Sequence, residues 1–417
     1  MNEKYKILIS CYSGEKDAGD ETMLYCIRQQ LEAELGNRIS ITAFSNNPDI
    51  SDHFNENIEF IYSGRHGLKQ PNRSGIDAVK WIQQMVNAIR KCDILLTGGG
   101  TILYDESNRF FVPFWFIKIC IAQICRKPTA FYGIGVGPLT RRSSRFLMNT
   151  FGKKMNFISL RGTESQKWMT KFKVPENKIY LTADPAVTIS SAQNESIDSY
   201  LYKEGILLSS DKELVVVVFR EWFLRKNRGV EQAIDGTAKI TSYKDYIKQL
   251  AVFCQYIVEK ENSSIIFMPM GTLPPCDDRI VMNDVYDVLK ASRVDMQNVF
   301  RMSDITDSRI MVGIMGRAKA VITGRFHGLV YATTQYVPAI GIAYTEKYYD
   351  YYNYIGLSEY VIGMNDLTGD SLIMKYQELL RNKTQIINML KSEIPKQQKM
   401  AKRNAELVAA ILKKEPK

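Results

Sequence analysis

Residues 320–343 read AVITGRFHGLVYATTQYVPAIGIA. A β-branched run at 320–323 ends at Thr323 and Gly324. Arg325, Phe326, His327 and Gly328 then turn into a helical stretch, and 338–343 is a second apolar strand. Strand, helix and strand in such short compass form a βαβ unit, whose two strands lie parallel. The same alternation extends upstream. Residues 214–219 (LVVVVF) are strongly β-prone, followed by a helix near 242–260, a strand at 264–268 and a helix near 278–291. Nearer the start, strands are expected at 5–10, 38–44, 57–62, 93–97, 129–132, 156–160 and 178–182, with helices at 21–35 and 81–91. The polar, Ser-rich stretch 190–212 interrupts the pattern. The chain therefore reads as two α/β domains, 1–200 and 201–375, with a basic helical tail at 376–417.

The 417 residues, 45% hydrophobic and 24% charged, have ordinary globular composition, which excludes disorder or a collagen-like chain as a description of the whole. No apolar run reaches the 18 or so residues of a membrane span. The most apolar stretch, FFVPFWFIKICIAQIC at 110–125, is broken by Pro113 and Lys118 and reads as a buried helix, a lipid-touching surface being the other reading. The opening residues turn polar before a signal-peptide core forms. Seven cysteines, an odd number without CxxC, read as buried thiols of a reducing cytoplasm. The three histidines, His53, His66 and His327, do not cluster with cysteines, so no metal site is expected.

The formal charge of +10 is concentrated at the end. Residues 375–417 hold 11 Lys and Arg against 4 Asp and Glu, whereas the remainder holds 44 against 41. Such a tail can meet anionic lipid, RNA or an acidic partner, or be a solvated helix face. Pro395 is expected to interrupt it. Beyond that, Met400, Leu407, Val408, Ile411 and Leu412 share one face, suited to packing on the body or to lying on a membrane.

Paired doubly wound domains place a ligand at the carboxyl ends of their strands. The first strand leads into Gly14-Glu15-Lys16-Asp17-Ala18-Gly19-Asp20-Glu21, where the helix dipole explains the acids and Asp20 could also hold sugar hydroxyls. The strand DILLT runs into Gly98-Gly99-Gly100-Thr101, which exposes backbone N–H groups but matches neither a phosphate-binding P-loop nor a dinucleotide fingerprint. Gly133, Gly135 and Gly137 form a second tight turn. Arg161 closes another strand and could fork onto a phosphate or carboxylate, or pair with Glu164 or Asp184. His327, flanked by Arg325, and Lys347 follow neighbouring strands and so share a rim. Histidine exchanges protons near neutral pH, and these cations suit an anion beneath it.

Taken together, DILLTGGGTIL, FYGIGVGPL, ISLRGTES, ADPAV at 183–187, GRFHGLVYAT and VPAIGIAYTEK resemble the polysaccharide pyruvyl transferase family, in order over roughly residues 5–360. The resemblance implies two Rossmann-like domains in a GT-B-like arrangement with an interdomain active site. It implies transfer of the pyruvyl unit of phosphoenolpyruvate onto two hydroxyls of a sugar as a cyclic ketal. It matches His327 to the catalytic histidine, and Arg161 and Lys347, with Arg325 beside them, to donor-binding cations. Gly98, Gly99, Gly100, Thr101 and Asp20 belong to the loops expected around the site. The family's compact Gly-Asn-x-Gly-Asp turn is replaced here by the longer, more charged segment 14–20. Phosphoenolpyruvate is then a co-substrate, with no further cofactor and no metal. The partners expected are a sugar acceptor, lipid-linked or soluble, and no nucleic acid. The place expected is the cytoplasm, peripheral at the inner face of the membrane.

Three rivals differ in what they predict. A GT-B glycosyltransferase would bind a nucleotide sugar, but no acidic pair for its ribose is evident. A non-catalytic assembly protein would tolerate loss of His327 and Lys347. An RNA-binding protein would show steep salt dependence, yet the aromatic–basic interleaving of such modules is missing.

Overall fold

Strands that are apolar on both faces are stable only when helices cover both sides, which is the condition of a parallel sheet. The computed structural model describes residues 4–64, 75–106, 108–172, 174–221, 239–240 and 242–414 and contains two such sheets. By contacts, residues up to 15, 20–188 and from 397 onward form one unit, and 16–19 with 189–396 form the other.

In the first unit the strands are β1 Tyr5–Ser10, β2 Ile39–Ser45, β3 Glu59–Tyr62, β4 Ile94–Gly98, β5 Thr101–Leu103, β6 Thr129–Val136, β7 Phe157–Leu160 and β8 Ile179–Leu181. The helices are α1 Ala18–Leu35, α2 Pro48–Phe54, α3 Gly75–Lys91, α4 Phe111–Ile124, α5 Arg142–Thr150 and α6 Thr163–Lys171. The sheet order is β3-β2-β1-β4-β6-β7-β8, all parallel, with β5 beside β6. Side chains alternate between two cores, as the period of a strand requires. Leu8, Leu95 and Phe131 meet Met85, Ile89, Trp115, Phe116 and Met148 of α3, α4 and α5. Ile7, Ile9 and Leu96 meet Leu24, Ile27 and Leu31 of α1, together with Ala405, Val408, Ala409 and Leu412 near the C-terminus.

The second unit has β9 Leu214–Val218, β10 Ser264–Phe267, β11 Val299–Arg301, β12 Ala320–Thr323, β13 Ala339–Ala343 and β14 Val361–Gly363, in the parallel order β11-β10-β9-β12-β13-β14. Its helices are α7 Asn194–Lys203, α8 Tyr243–Glu259, α9 Arg279–Ala291, α10 Ser308–Gly316, α11 Phe326–Thr334, α12 Lys347–Tyr354 and α13 Gly369–Arg381, and α14 spans Lys383–Leu412. Local chemistry sets these starts. Ser242 accepts from the Asp245 amide to cap α8, and Thr368 with Ser371 forms a capping box on α13. Each sheet has the Rossmann order, reversing at β1/β4 and at β9/β12. The fold class is thus the expected one, α/β with two Rossmann-like units.

The structure departs from the sequence reading at the boundaries. Contacts place the division after Thr188 rather than at 200, because α7 packs on α10: a Cβ on Gly313 would stand 3.0 Å from Ile197 Cγ1. The stretch 376–417 is not a separate tail, since residues to 396 belong with the second unit and those from 397 with the first. Pro395 does not break α14. Ile386, Leu390 and Ile394 before it and Ala401, Ala405 and Val408 after it are buried. That burial outweighs the ~3 kcal/mol or more of a helix-interior proline. Likewise α4 runs unbroken through Pro113, tolerated in a first turn, and Lys118. Lys118 is buried, its ammonium 4.0 Å from the Phe114 ring centroid and 5.0 Å from that of Phe44. Among the described residues, no helix is long and apolar enough to cross a membrane.

Candidate active site

The best-defined constellation lies at the carboxyl ends of β9, β12 and β13, beside the switch point of the second sheet, where open α/β sheets bind ligands. Leaving β12, the backbone is pinned by Gly324 N–H donating to Val218 O at 2.7 Å and by Arg325 N–H donating to Thr323 Oγ1 at 3.0 Å. Gly328 must be glycine because a Cβ would stand 2.9 Å from Thr323 Cβ. This turn delivers His327 to the first turn of α11.

Arg325 is buried, and its guanidinium is engaged by protein groups. Nε donates to both Asp278 oxygens at 3.1 and 2.9 Å, and Nη2 to Asp278 Oδ1 at 2.6 Å and Cys276 O at 2.8 Å. Nη1 donates to Asp17 Oδ2 at 3.0 Å. Asp278 in turn accepts from the amides of Met270 and Gly271 at 3.1 and 3.0 Å. Burial opposes the Arg325 charge, but Asp278 and Asp17 hold it on the guanidinium. Arg325 therefore acts on the site by fixing the turn.

Residues 16–19, the end of the loop after β1 and the first two residues of α1, belong to this unit. Ala18 N–H donates to Met270 O at 2.8 Å, Tyr331 Oη donates to Ala18 O at 3.0 Å, and Lys16 pairs with Asp304 at 2.8 Å. Gly19 is thereby laid against the His327 imidazole. A Cβ at Gly19 would stand 2.6 Å from Cγ and 2.9 Å from Cε1 of that ring.

Phe326 adjoins two of the predicted residues. Its ring centroid is 5.3 Å from that of His327 and 5.4 Å from Lys347 Nζ. Lys347 Nζ also lies 5.3 Å from the Tyr344 centroid. Arg220, two residues beyond β9, has its Cζ 4.4 Å above the Tyr344 ring and donates from Nη1 to the Tyr344 hydroxyl. Burial would raise the Tyr344 phenol. The charges of Arg220, Lys347 and Arg325 outweigh it and bring the phenol down to about 7. Neighbouring Tyr348 is pushed up by burial and donates to Gly324 O at 2.8 Å. A phenol that titrates near neutrality among cations is a mark of a functional site.

The other predicted residues lie in the first unit. Arg161 is nearly buried, pairing with Asp184 and donating from Nη2 to Thr101 Oγ1 at 3.0 Å. Gly98 lets β4 approach β6, since its Cβ would meet Tyr132, and Gly99 and Gly100 have φ of +75° and +85°. Asp20 sits in the first turn of α1. Beside it Glu21 is buried and accepts from Ser13 Oγ at 2.9 Å, Gly14 N–H at 2.6 Å and Asn55 Nδ2 at 3.0 Å, which shapes the glycine turn. His66 lies outside the described residues, and among those described no group of three or more His, Cys, Asp and Glu is placed to hold a metal ion.

Sequence reasoning missed Arg220, Tyr344, Asp278 and the role of Gly19. A signal existed for Arg220, which follows the LVVVVF strand much as Arg161 follows ISL. None existed for Asp278, whose link to Arg325 spans distant sequence.

Comparison with known proteins fits this architecture. A UDP-GlcNAc 2-epimerase from Methanocaldococcus jannaschii superposes with a TM-score of 0.61 at 14% identity, over 97% of this chain and 99% of that one. One from Neisseria meningitidis, bound to UDP-GlcNAc, gives 0.61 at 13% identity over 98% and 100%. At such identity these neighbours share the GT-B type fold alone. The amylovoran biosynthesis protein AmsJ of Erwinia amylovora is 20% identical over 309 residues, 74% of this chain and 70% of that protein. Residues 17–346 match the polysaccharide pyruvyl transferase family, a span that takes in the loop at Asp17, Arg161, Arg220, His327 and Tyr344. The chain belongs to the polysaccharide pyruvyl transferase family.

Proposed function

We propose that this protein transfers the pyruvyl group of phosphoenolpyruvate to two hydroxyls of a sugar, forming a cyclic ketal in exopolysaccharide or surface polysaccharide biosynthesis. The observation that carries the reading is the cationic rim of the second unit, where Arg220 and Lys347 flank Tyr344 and His327 stands in the adjoining helix turn. Phosphoenolpyruvate presents a phosphate and a carboxylate on one small skeleton and needs such paired cations. Arg220 offers a planar fork and Lys347 a point charge.

The reaction runs in balanced steps. A proton added at C3 makes C2 electrophilic. One sugar hydroxyl forms a bond to C2 and gives up its proton, the C2–O bond to phosphate breaks, and a second hydroxyl closes on C2 with loss of its proton. Of the two hydroxyl protons, one replaces that delivered to C3 and the other leaves with phosphate. His327 is assigned general acid/base work, typically worth ~10²–10⁴ in rate. Tyr344, poised to titrate, shares that proton inventory. The chemistry needs no cofactor beyond the co-substrate, and it is assigned to the cytoplasm.

Calorimetric titration tests donor use. Phosphoenolpyruvate should bind the wild-type protein, and Lys347→Met should weaken it about tenfold to a hundredfold, the worth of a charge-assisted hydrogen bond. If a nucleotide sugar binds and phosphoenolpyruvate does not, the pyruvyl reading fails and glycosyl transfer replaces it.

A further inference from the structure

The near-balance of charge over the body conceals a local extreme. Between Glu106 and Glu164 the chain has no acidic residue and ten Lys and Arg. This segment supplies α4 and α5, which pack side by side on one face of the first sheet, with α3 on the other flank of α4. Their inner sides form the core. Their outer sides are unusual: Phe110 is 62% exposed, Ile117 49%, Ile124 76% and, on α5, Phe146 62%. Phe110, Phe114, Ile117, Ile121 and Ile124 recur at alternating steps of four and three, one continuous stripe along α4. On α3, Val79 and Ile82 are exposed as well.

Basic side chains accompany the stripe. Arg109, Arg126, Arg141, Arg142 and Arg145 are exposed, and among the described residues none of the five forms an ion pair. Arg109 lies 4.7 Å over the Phe110 ring, covering an apolar surface while keeping its charge outward. Among the described residues, the one acid bonded to these arginines is Asp105, which is buried and takes the Arg141 amide, while the Arg141 and Arg145 Nε groups donate to the carbonyls of Asp105 and Leu139. Exposed aliphatic and aromatic side chains among arginines that keep their charge outward form the pattern of a surface that settles on anionic lipid.

We infer that the outer face of α4 and α5 docks on an anionic membrane surface, inserting Phe110, Ile117, Ile124 and Phe146 while the surrounding arginines meet lipid phosphates. A second copy of the chain is a poorer occupant, because a two-fold contact would set like charges against each other. RNA is poorer too, since the most exposed side chain of the stripe, Ile124, and Ile117 along it are aliphatic and offer no face for base stacking. The inference stands apart from the identity of the donor. It also moves the membrane contact from the C-terminal helix, whose apolar face is occupied by the core of the first unit.

Flotation of the full chain with vesicles tests it. Vesicles of equal parts phosphatidylcholine and phosphatidylglycerol should carry the protein, phosphatidylcholine alone should not, and added salt should release it. Ile117→Asp with Ile124→Asp should abolish flotation. Arg109→Glu, Arg126→Glu and Arg142→Glu together should weaken it about a hundredfold. Lys399→Glu with Lys402→Glu, on the exposed side of α14, should leave it unchanged. Thermal unfolding of each variant should match wild type, as expected for exposed positions. The inference is overturned if the protein ignores anionic vesicles, or if only the α14 variants lose binding. It is also overturned if the α4 variants instead dissolve a dimer seen by sedimentation or remove binding to polyuridylate.

Discussion

Gly19→Ala is the most revealing single substitution, because it acts on His327 without touching its chemistry. The added Cβ would stand 2.6 Å from Cγ and 2.9 Å from Cε1 of the imidazole. Ordinary non-bonded contacts lie near 3.5–4.0 Å, and the ring atom approached most closely is Nδ1, so the ring must retreat by more than about 1 Å. A misplacement of that size costs roughly 10²-fold in rate, approaching the ~10²–10⁴ of losing the acid/base altogether. The fold should suffer little. Gly19 lies in the first turn of α1, where alanine recovers some of the ~1 kcal/mol of helix propensity that glycine forfeits. Net stability should therefore stay within about 1 kcal/mol of wild type. The assay is acceptor-dependent phosphate release from phosphoenolpyruvate, beside urea unfolding of the same samples. Gly19→Ala combined with His327→Ala should be no slower than His327→Ala alone, since both act through one ring. If Gly19→Ala keeps activity within about threefold of wild type, or if the two losses multiply, the position of His327 does not govern the reaction and the argument fails.

Other consequences follow from the same contacts. Tyrosinate absorbance should titrate with a midpoint near pH 7 in the native protein and lose that step in Tyr344→Phe; titration confined to the ordinary range near ~10 would refute the cation cluster. Because folding lowers this acid, the unfolded chain binds the additional proton above about pH 7, so unfolding free energy should climb from about 7 toward ~10 and fall back as pH drops through about 7, a slope absent in Tyr344→Phe. Arg325→Met should cost about 3–5 kcal/mol in urea unfolding by leaving the Asp278 charge buried and unpaired, whereas Arg325→Met with Asp278→Leu should recover much of it. Thr101→Val removes a partner of Arg161 and should cost about 1 kcal/mol without altering the tyrosine titration.

Much of this architecture could be read before any coordinates, for a physical reason. A strand buried on both faces must be apolar throughout, so β1, β4, β6, β9, β12 and β13 announce themselves. The short edge strands β5, β11 and β14, three residues each, carry no such signal. The placement of His327 and Lys347 beyond the carboxyl ends of neighbouring strands was legible because each opens the helix that follows one, β12 and β13 respectively. Arg325 was legible as a cation but not as a buried one, because its fate depends on Asp17 and Asp278, far away in sequence. Residues 16–19 look like part of the first domain and pack in the second unit, a matter of tertiary contacts that local pattern does not encode. The exposed stripe of α4 was hidden by the helix's own hydrophobicity. Nearly every position is apolar, so the sequence does not distinguish the face that is covered from the face that is not.

The central claim is best tested by incubating the protein with phosphoenolpyruvate and a panel of lipid-linked and soluble glycosides, following phosphate release and product mass together. Release that requires a glycoside, a product heavier by one pyruvyl ketal, and loss of both in His327→Ala are the predicted results. Release without an acceptor, a product lacking the ketal, or full activity in His327→Ala would contradict it.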